Sequence, residues 1–183
     1  MNAVLESSRL TLNDQLKKQG SPLLISPARR LITPRRLDLI VKWRFFRHLL
    51  GGDDPNASTV YRWHIAKRRA SGFVDAAHSQ EDESTTLDHY EMKAKKLLES
   101  MTYNGFDERH PIPIDPNNEL LGGAHRLACA IAMDLPVYVE KSEERVWAPA
   151  WGIRWFLDAG MDESGTARLL YDYDKAGRGL GDG

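Results

Sequence analysis

The chain has 183 residues, 42% of them hydrophobic, and a formal net charge of −1; it is long enough for one domain with a real core and an appended helical piece. No apolar run approaches the length of a membrane span, and Met1 to Gln19 lacks the apolar centre of a signal peptide. The one cysteine, Cys129, excludes an internal disulfide and a multi-cysteine zinc site, so a reducing, cytoplasmic setting is expected.

Residues 1–30 read as loosely structured, with a short helix over Leu10 to Gln19 before the Gly20-Ser21-Pro22 break. Thr33 and Pro34 suit an N-cap and a first helical position. Leu37, Ile40, Val41, Phe45 and Leu49 follow at helical spacing until Gly51-Gly52. Arg35, Arg36, Lys42, Arg44 and Arg47 fall largely off that apolar stripe, which predicts an amphipathic, basic helix. Ser58 or Thr59 caps a second helix that ends in Lys67, Arg68 and Arg69, where cations suit the helix dipole. From Arg9 to Arg69 there are 14 Lys/Arg against 4 Asp/Glu, and the remainder holds 11 against 22. Such a basic front half can meet nucleic acid through residues 29–69, nucleotide phosphates or an anionic surface. It can equally dock on the acidic back half of the chain.

His78 to Thr86 reads as an acidic exposed loop, followed by a helix over 88–103 with Tyr90, Ala94, Leu97, Leu98 and Met101 on one face and an Asn104-Gly105 stop. Ile112 and Ile114 alternate with Pro111 and Pro113, which predicts a short edge strand. Pro116-Asn117-Asn118 turns the chain into a returning strand at Glu119 to Leu121. A helix over 125–133 and a buried strand at Leu135 to Glu140 come next. Trp147, Trp151 and Trp155 are spaced four apart, which predicts one indole-bearing helix from Arg145 to Asp158 packed on the body. The domain reading is a basic helical segment 1–70, a core 71–145, and a C-terminal helix and tail 146–183.

Chemistry concentrates at Leu120-Leu121-Gly122-Gly123-Ala124-His125-Arg126. A strand, two glycines and a helix start bring unpaired N–H groups, the positive end of a helix dipole and a guanidinium to one point. An anion, above all a phosphate, is the expected ligand. The plainer alternative is that Arg126 only pairs with a carboxylate such as Glu119. Asp115 is a candidate general base or Mg²⁺ ligand, although Asp115-Pro116 also suits a simple turn. His64 and Arg68, one turn apart, can reach a phosphate together, and a basic helix end explains them as well. Asp75 and Glu91 are weaker carboxylate candidates, and His110 reads as a residue at the start of a strand. His78 and His89 lack the spacing of a tight transition-metal site.

The order of these pieces resembles the core of the ParB/sulfiredoxin-like superfamily. Leu98 to Gly105 matches its helix ending in Ser-Ile-x-x-x-Gly, Pro111-Ile112-Pro113-Ile114 its Pro-Ile-x-Val strand, and Gly123-Ala124-His125-Arg126 its Gly-x-His-Arg turn. The match spans about 55 residues, from Asp88 to Glu140. The resemblance implies an α/β fold with a small mixed sheet and packed helices, flanked here by N-terminal basic helices and a C-terminal Trp-rich helix. It also implies nucleotide binding, since sulfiredoxins hold ATP, ParB proteins CTP, and a free-serine kinase its nucleotide at this turn. Carried over, Gly122, Gly123, Ala124 and His125 would offer N–H groups, and the His125 ring and Arg126 would face the phosphate. Ala124 stands where sulfiredoxins carry their catalytic cysteine, which removes that chemistry. ParB proteins are followed by a helix-turn-helix region, whereas only about 40 acidic, Trp-bearing residues follow Glu140 here. The leading expectation is therefore an ATP- and Mg²⁺-dependent phosphotransferase, a kinase of a small hydroxyl-bearing metabolite or sugar. In it Asp115 and His125 take catalytic roles. The alternative is a ParB-like, nucleotide-responsive DNA-binding or regulatory module without catalysis.

Overall fold

Two strands of the same direction need a connection that crosses over the sheet, and a helix usually supplies it. The chain builds this unit from β-favouring Ile112 and Ile114, the helix that follows the glycine pair, and Val137-Tyr138-Val139. The computed structural model describes residues 23–25, 27–73, 83–145 and 151–178. Among them run β1 (Leu23–Ile25), a 3-10 turn (Ala28–Leu31), α1 (Asp38–Leu49), α2 (Ala57–Ala70), α3 (Glu83–Asn104), β2 (Ile112–Ile114), α4 (Ala124–Ala132), β3 (Val137–Lys141), α5 (Ile153–Asp158) and α6 (Glu163–Arg178). β3 is central. β2 lies parallel to it with Ile112 opposite Val139, and β1 antiparallel with Leu23 opposite Val139. The class is thus α/β with a small mixed sheet. No helix among the described residues is long and apolar enough to cross a membrane.

The core is organised around α1. Leu39, Ile40, Val41 and Phe46 are fully buried, and α1 packs most extensively against α4 and α2. The run Leu127-Ala128-Cys129-Ala130-Ile131-Ala132 is buried throughout. Its alternating alanines let the neighbouring helix approach closely, while Leu127 and Ile131 fill the space between. The Phe45 ring stacks on Tyr61 at 4.1 Å between centroids and so joins α1 to α2. Burying each such side chain contributes about 1.5–3 kcal/mol.

Several elements differ from the sequence expectation. α1 begins at Asp38 rather than at Pro34. The chain before it pairs with Trp151: Arg36 bridges to that residue, and the Leu37 N–H donates to its carbonyl at 2.9 Å. The single helix expected from Arg145 to Asp158 is absent as such. Ser142 to Arg145 has no helix, Trp151 sits in the bridge with Arg36, and α5 starts only after Gly152, whose backbone is extended. Trp151 and Trp155 therefore do not share a helix face, and Trp147 lies outside the described residues. Glu119 to Leu121 contributes one bridge, Ile114 to Leu120, instead of a strand. β1 and α6 were not signalled by the periodicity, and α3 starts at Glu83, five residues before the expected start at 88 and inside the segment expected as a loop. The Leu10 to Gln19 helix lies outside the described residues.

The basic face expected on α1 is also corrected. Arg36, Lys42 and Arg44 are buried, at 7%, 1% and 8% exposure. Each has found a carboxylate: Arg36 and Lys42 meet Asp38, and Arg44 meets Asp54 and Asp172.

Candidate functional site

The turn before α4 is built on Gly123, whose φ of +74° is the left-handed conformation that glycine adopts without a Cβ penalty. Among the described residues no side chain caps this helix start. The N–H groups of the first turn therefore carry the positive end of the dipole without a side-chain oxygen to neutralise it. Arg126 folds back across the same turn. A Cβ added at Gly123 would lie 3.1 Å from its Nη2, and its Nη1 donates to the His110 carbonyl. Among the described residues no carboxylate pairs with Arg126. Asp107 acts on it only through space and is itself gripped by Arg109 at 2.9 and 3.0 Å. Gly122, Gly123, Ala124, His125 and Arg126 are all partly exposed.

His125 points the other way. Its Nε2 shares a hydrogen bond with the Tyr61 hydroxyl at 2.9 Å, and its ring stacks against Tyr90. Desolvation, with repulsion from Lys42 and Arg68, pushes its pKa down to about 3. It is a neutral imidazole at pH 7 and a weak base. Asp115 is buried and its Oδ1 accepts the N–H groups of Asn117 and Glu119 at 2.7 and 2.8 Å. That carboxylate holds the turn closed in front of β2's bridge partner, and neither bond uses Oδ2. Beside the turn a groove of about 440 Å³ opens, lined by Pro113, Leu121, Glu140, Lys141, Ser142 and Glu144.

A second polar group lies deeper, inside the angle of α1, α2 and the Trp151 bridge. Asp38 is gripped by Arg36 through Nε at 2.8 Å and Nη2 at 3.1 Å, and by Lys42 Nζ at 2.7 Å. Burial alone would raise the Asp38 pKa, but Lys42 and Arg36 outweigh it and hold the carboxyl well below its ordinary range. Arg36 also donates to the Leu120 carbonyl at 2.9 Å, which ties this cluster to the bridge residue just before the glycine turn. Lys42 is pulled down to about 8, mainly by burial and, against the pull of Asp38, by Arg68. His64 is fully buried and kept neutral by desolvation and by Lys42.

The structure thus brings Gly122, Gly123, Ala124 and Arg126 together at one exposed turn, turns the His125 ring inward, and commits an oxygen of Asp115 to backbone. Glu91 pairs with Arg62, and the His110 side chain is exposed. Asp75 and His78 lie outside the described residues. Cys129 is buried and its thiol is pushed up to about 12, so it stays protonated. Sequence reasoning marked His64 and Arg68, took Arg36 as part of the basic segment 29–69 and Trp151 as part of an indole-bearing helix, and missed the Asp38–Lys42 pair. One signal was available: Asp38 is the sole acid between Arg29 and Arg47, and an isolated carboxylate in a basic stretch is where buried cations find their partner. Comparison with protein-family models, curated proteins and solved structures returns no match for the chain.

Proposed function

We propose that the chain binds a nucleotide, ATP with Mg²⁺, by its phosphates at the start of α4, and transfers a phosphoryl group to a small hydroxyl-bearing metabolite or sugar. The observation that carries this reading is the α4 start on left-handed Gly123, with the Arg126 guanidinium folded over it and, among the described residues, no carboxylate paired to it. Main-chain N–H groups and a planar guanidinium are what a phosphate chain needs, and phosphoryl transfer depends mostly on positioning and charge neutralisation. The choice of a nucleotide over another anion follows the ParB/sulfiredoxin-like pattern of Gly123-Ala124-His125-Arg126.

The neighbouring groove supports the acceptor class. Glu140, Ser142 and Glu144 offer oxygens that accept from hydroxyl groups, and the volume suits a small metabolite. Asp115, whose Oδ1 closes the turn, would be the carboxylate to hold a metal ion or take the acceptor proton. His125, neutral and hydrogen-bonded to Tyr61, orients the turn rather than acting as a strong base.

A thermal-shift screen of nucleotides, with and without Mg²⁺, tests the binding step on wild type and Arg126→Ala. A ligand at 100 times its dissociation constant should stabilise the wild type by about 2.7 kcal/mol and Arg126→Ala far less. No nucleotide-dependent shift in the wild type contradicts the proposal. Duplex binding that falls steeply with salt, without nucleotide hydrolysis or transfer, favours the regulatory alternative.

A further inference from the structure

Behind the α4 turn the helices gather more positive charge than negative. Arg36 and Lys42 occupy one buried carboxylate, Asp38, and the Arg68 charge acts on Lys42 beside them. Glu119, half-buried at the rim, acts on Arg36 but leaves the excess positive. Arg68 has no carboxylate partner among the described residues. Its guanidinium lies 5.1 Å from the centre of the Trp151 ring, and Arg36 lies at the same distance from that ring. His64 precedes Arg68 by one helical turn and so shares its face of α2.

Among the described residues, polar atoms of these same side chains are buried without a hydrogen bond: both ring nitrogens of His64, Nε of Arg68 and Nε1 of Trp151. An unpaired buried donor is costly, and native proteins keep few. Here they recur around Arg68, which lies over the Trp151 ring and acts on His64 one turn before it. Arg68 and Trp151 can only donate, and neutral His64 donates from one nitrogen and accepts at the other.

We propose that Arg68, His64 and Trp151 form a binding site for a phosphate-type oxyanion, free or as a monoester, backed by the charge of Lys42 and Arg36. The oxyanion accepts from the Arg68 Nε–H, the indole N–H and the imidazole N–H, and its charge offsets the excess around Asp38. Arg68 is half-buried, so the site is reached from its side. The proposal goes beyond nucleotide binding and does not depend on it, because none of these side chains belongs to the Gly122 to Arg126 turn.

The test is a titration of the full chain with inorganic phosphate, glycerol phosphate and acetate at matched ionic strength. Affinity is read by saturable thermal stabilisation, and location by the indole ¹H–¹⁵N signals of the five tryptophans. Phosphate should stabilise saturably, acetate should not, and the Trp151 indole signal should move most. Glycerol phosphate binding tighter than phosphate marks a monoester as the natural ligand, and the reverse order marks the free ion. Arg68→Gln should weaken phosphate at least about tenfold, the loss of a charge-assisted hydrogen bond, while Arg126→Ala keeps it. Arg126→Ala losing phosphate equally overturns the proposal, as does saturable binding that leaves Trp151 unmoved. So does the absence of saturable stabilisation in the wild type. Should Arg68→Gln fail to fold, the indole signals of the wild type decide alone.

Discussion

His64 and His125 are held neutral by desolvation and by the same two cations, Lys42 and Arg68, which lowers both pKa values below the ordinary 6.5. In the unfolded chain each histidine takes up a proton near pH 6.5, and in the folded chain it does not. Unfolding is therefore proton-consuming below that pH, and stability falls as the solution is acidified, by up to about 1.4 kcal/mol per pH unit for each histidine. Urea denaturation from pH 7 down to pH 5 should show that slope, and His125→Asn should remove about half of it. Gly123 makes a second residue-scale prediction. Alanine there meets both the left-handed backbone and the Arg126 guanidinium, so Gly123→Ala should cost about 1–2 kcal/mol in denaturation. It should also weaken nucleotide binding by displacing Arg126.

At the scale of elements, α1 shows how a helix can bury charge. Asp38 and Lys42 stand one turn apart, and Arg36 reaches the same carboxylate from the preceding bridge. Removing the shared anion strands two buried cations, so Asp38→Asn should destabilise by about 3–5 kcal/mol. Lys42→Met should cost less, because Asp38 keeps Arg36; comparing the two midpoints in urea checks the order. This arrangement also explains what the sequence could and could not reveal. The apolar stripe of α1, the Gly105 stop of α3, the Ile112 and Ile114 strand and the glycine turn before α4 all follow from local spacing, and they were readable. The burial of Arg36 was not, since it depends on Trp151, more than a hundred residues away, pairing with it and lying under its guanidinium. The continuous Trp helix failed for a related reason: fourfold spacing of indoles looks helical, but Trp151 is held in a bridge and Gly152 leaves it extended. At the site, the turn itself was legible from Gly122 to Arg126. The inward orientation of His125 and the backbone bonds of Asp115 were not, because each depends on which partners the fold delivers.

Across the whole molecule, the basic front half and acidic back half meet inside the same chain. Arg44 of α1 reaches Asp172 of α6 at 3.3 Å, Arg168 binds that carboxylate at 2.8 Å, and Arg62 of α2 pairs with Asp88 and Glu91 of α3. Asp172 is buried and serves two arginines, so it fastens α6 to the core. Asp172→Asn should raise amide hydrogen exchange across α6 first, with α1 and α4 following only at higher denaturant. Among the described residues Arg126, at the Gly123 turn, is one of the cations that this pairing leaves without a carboxylate, and the nucleotide proposal stands on that point. A titration of the ¹⁵N-labelled chain with ATP and Mg²⁺ addresses it directly. The account predicts that the amides of Gly122, Gly123, Ala124, His125 and Arg126 shift most, and that Arg126→Ala flattens the response. Saturable ATP binding that leaves those five amides in place, or no binding at all, would contradict it.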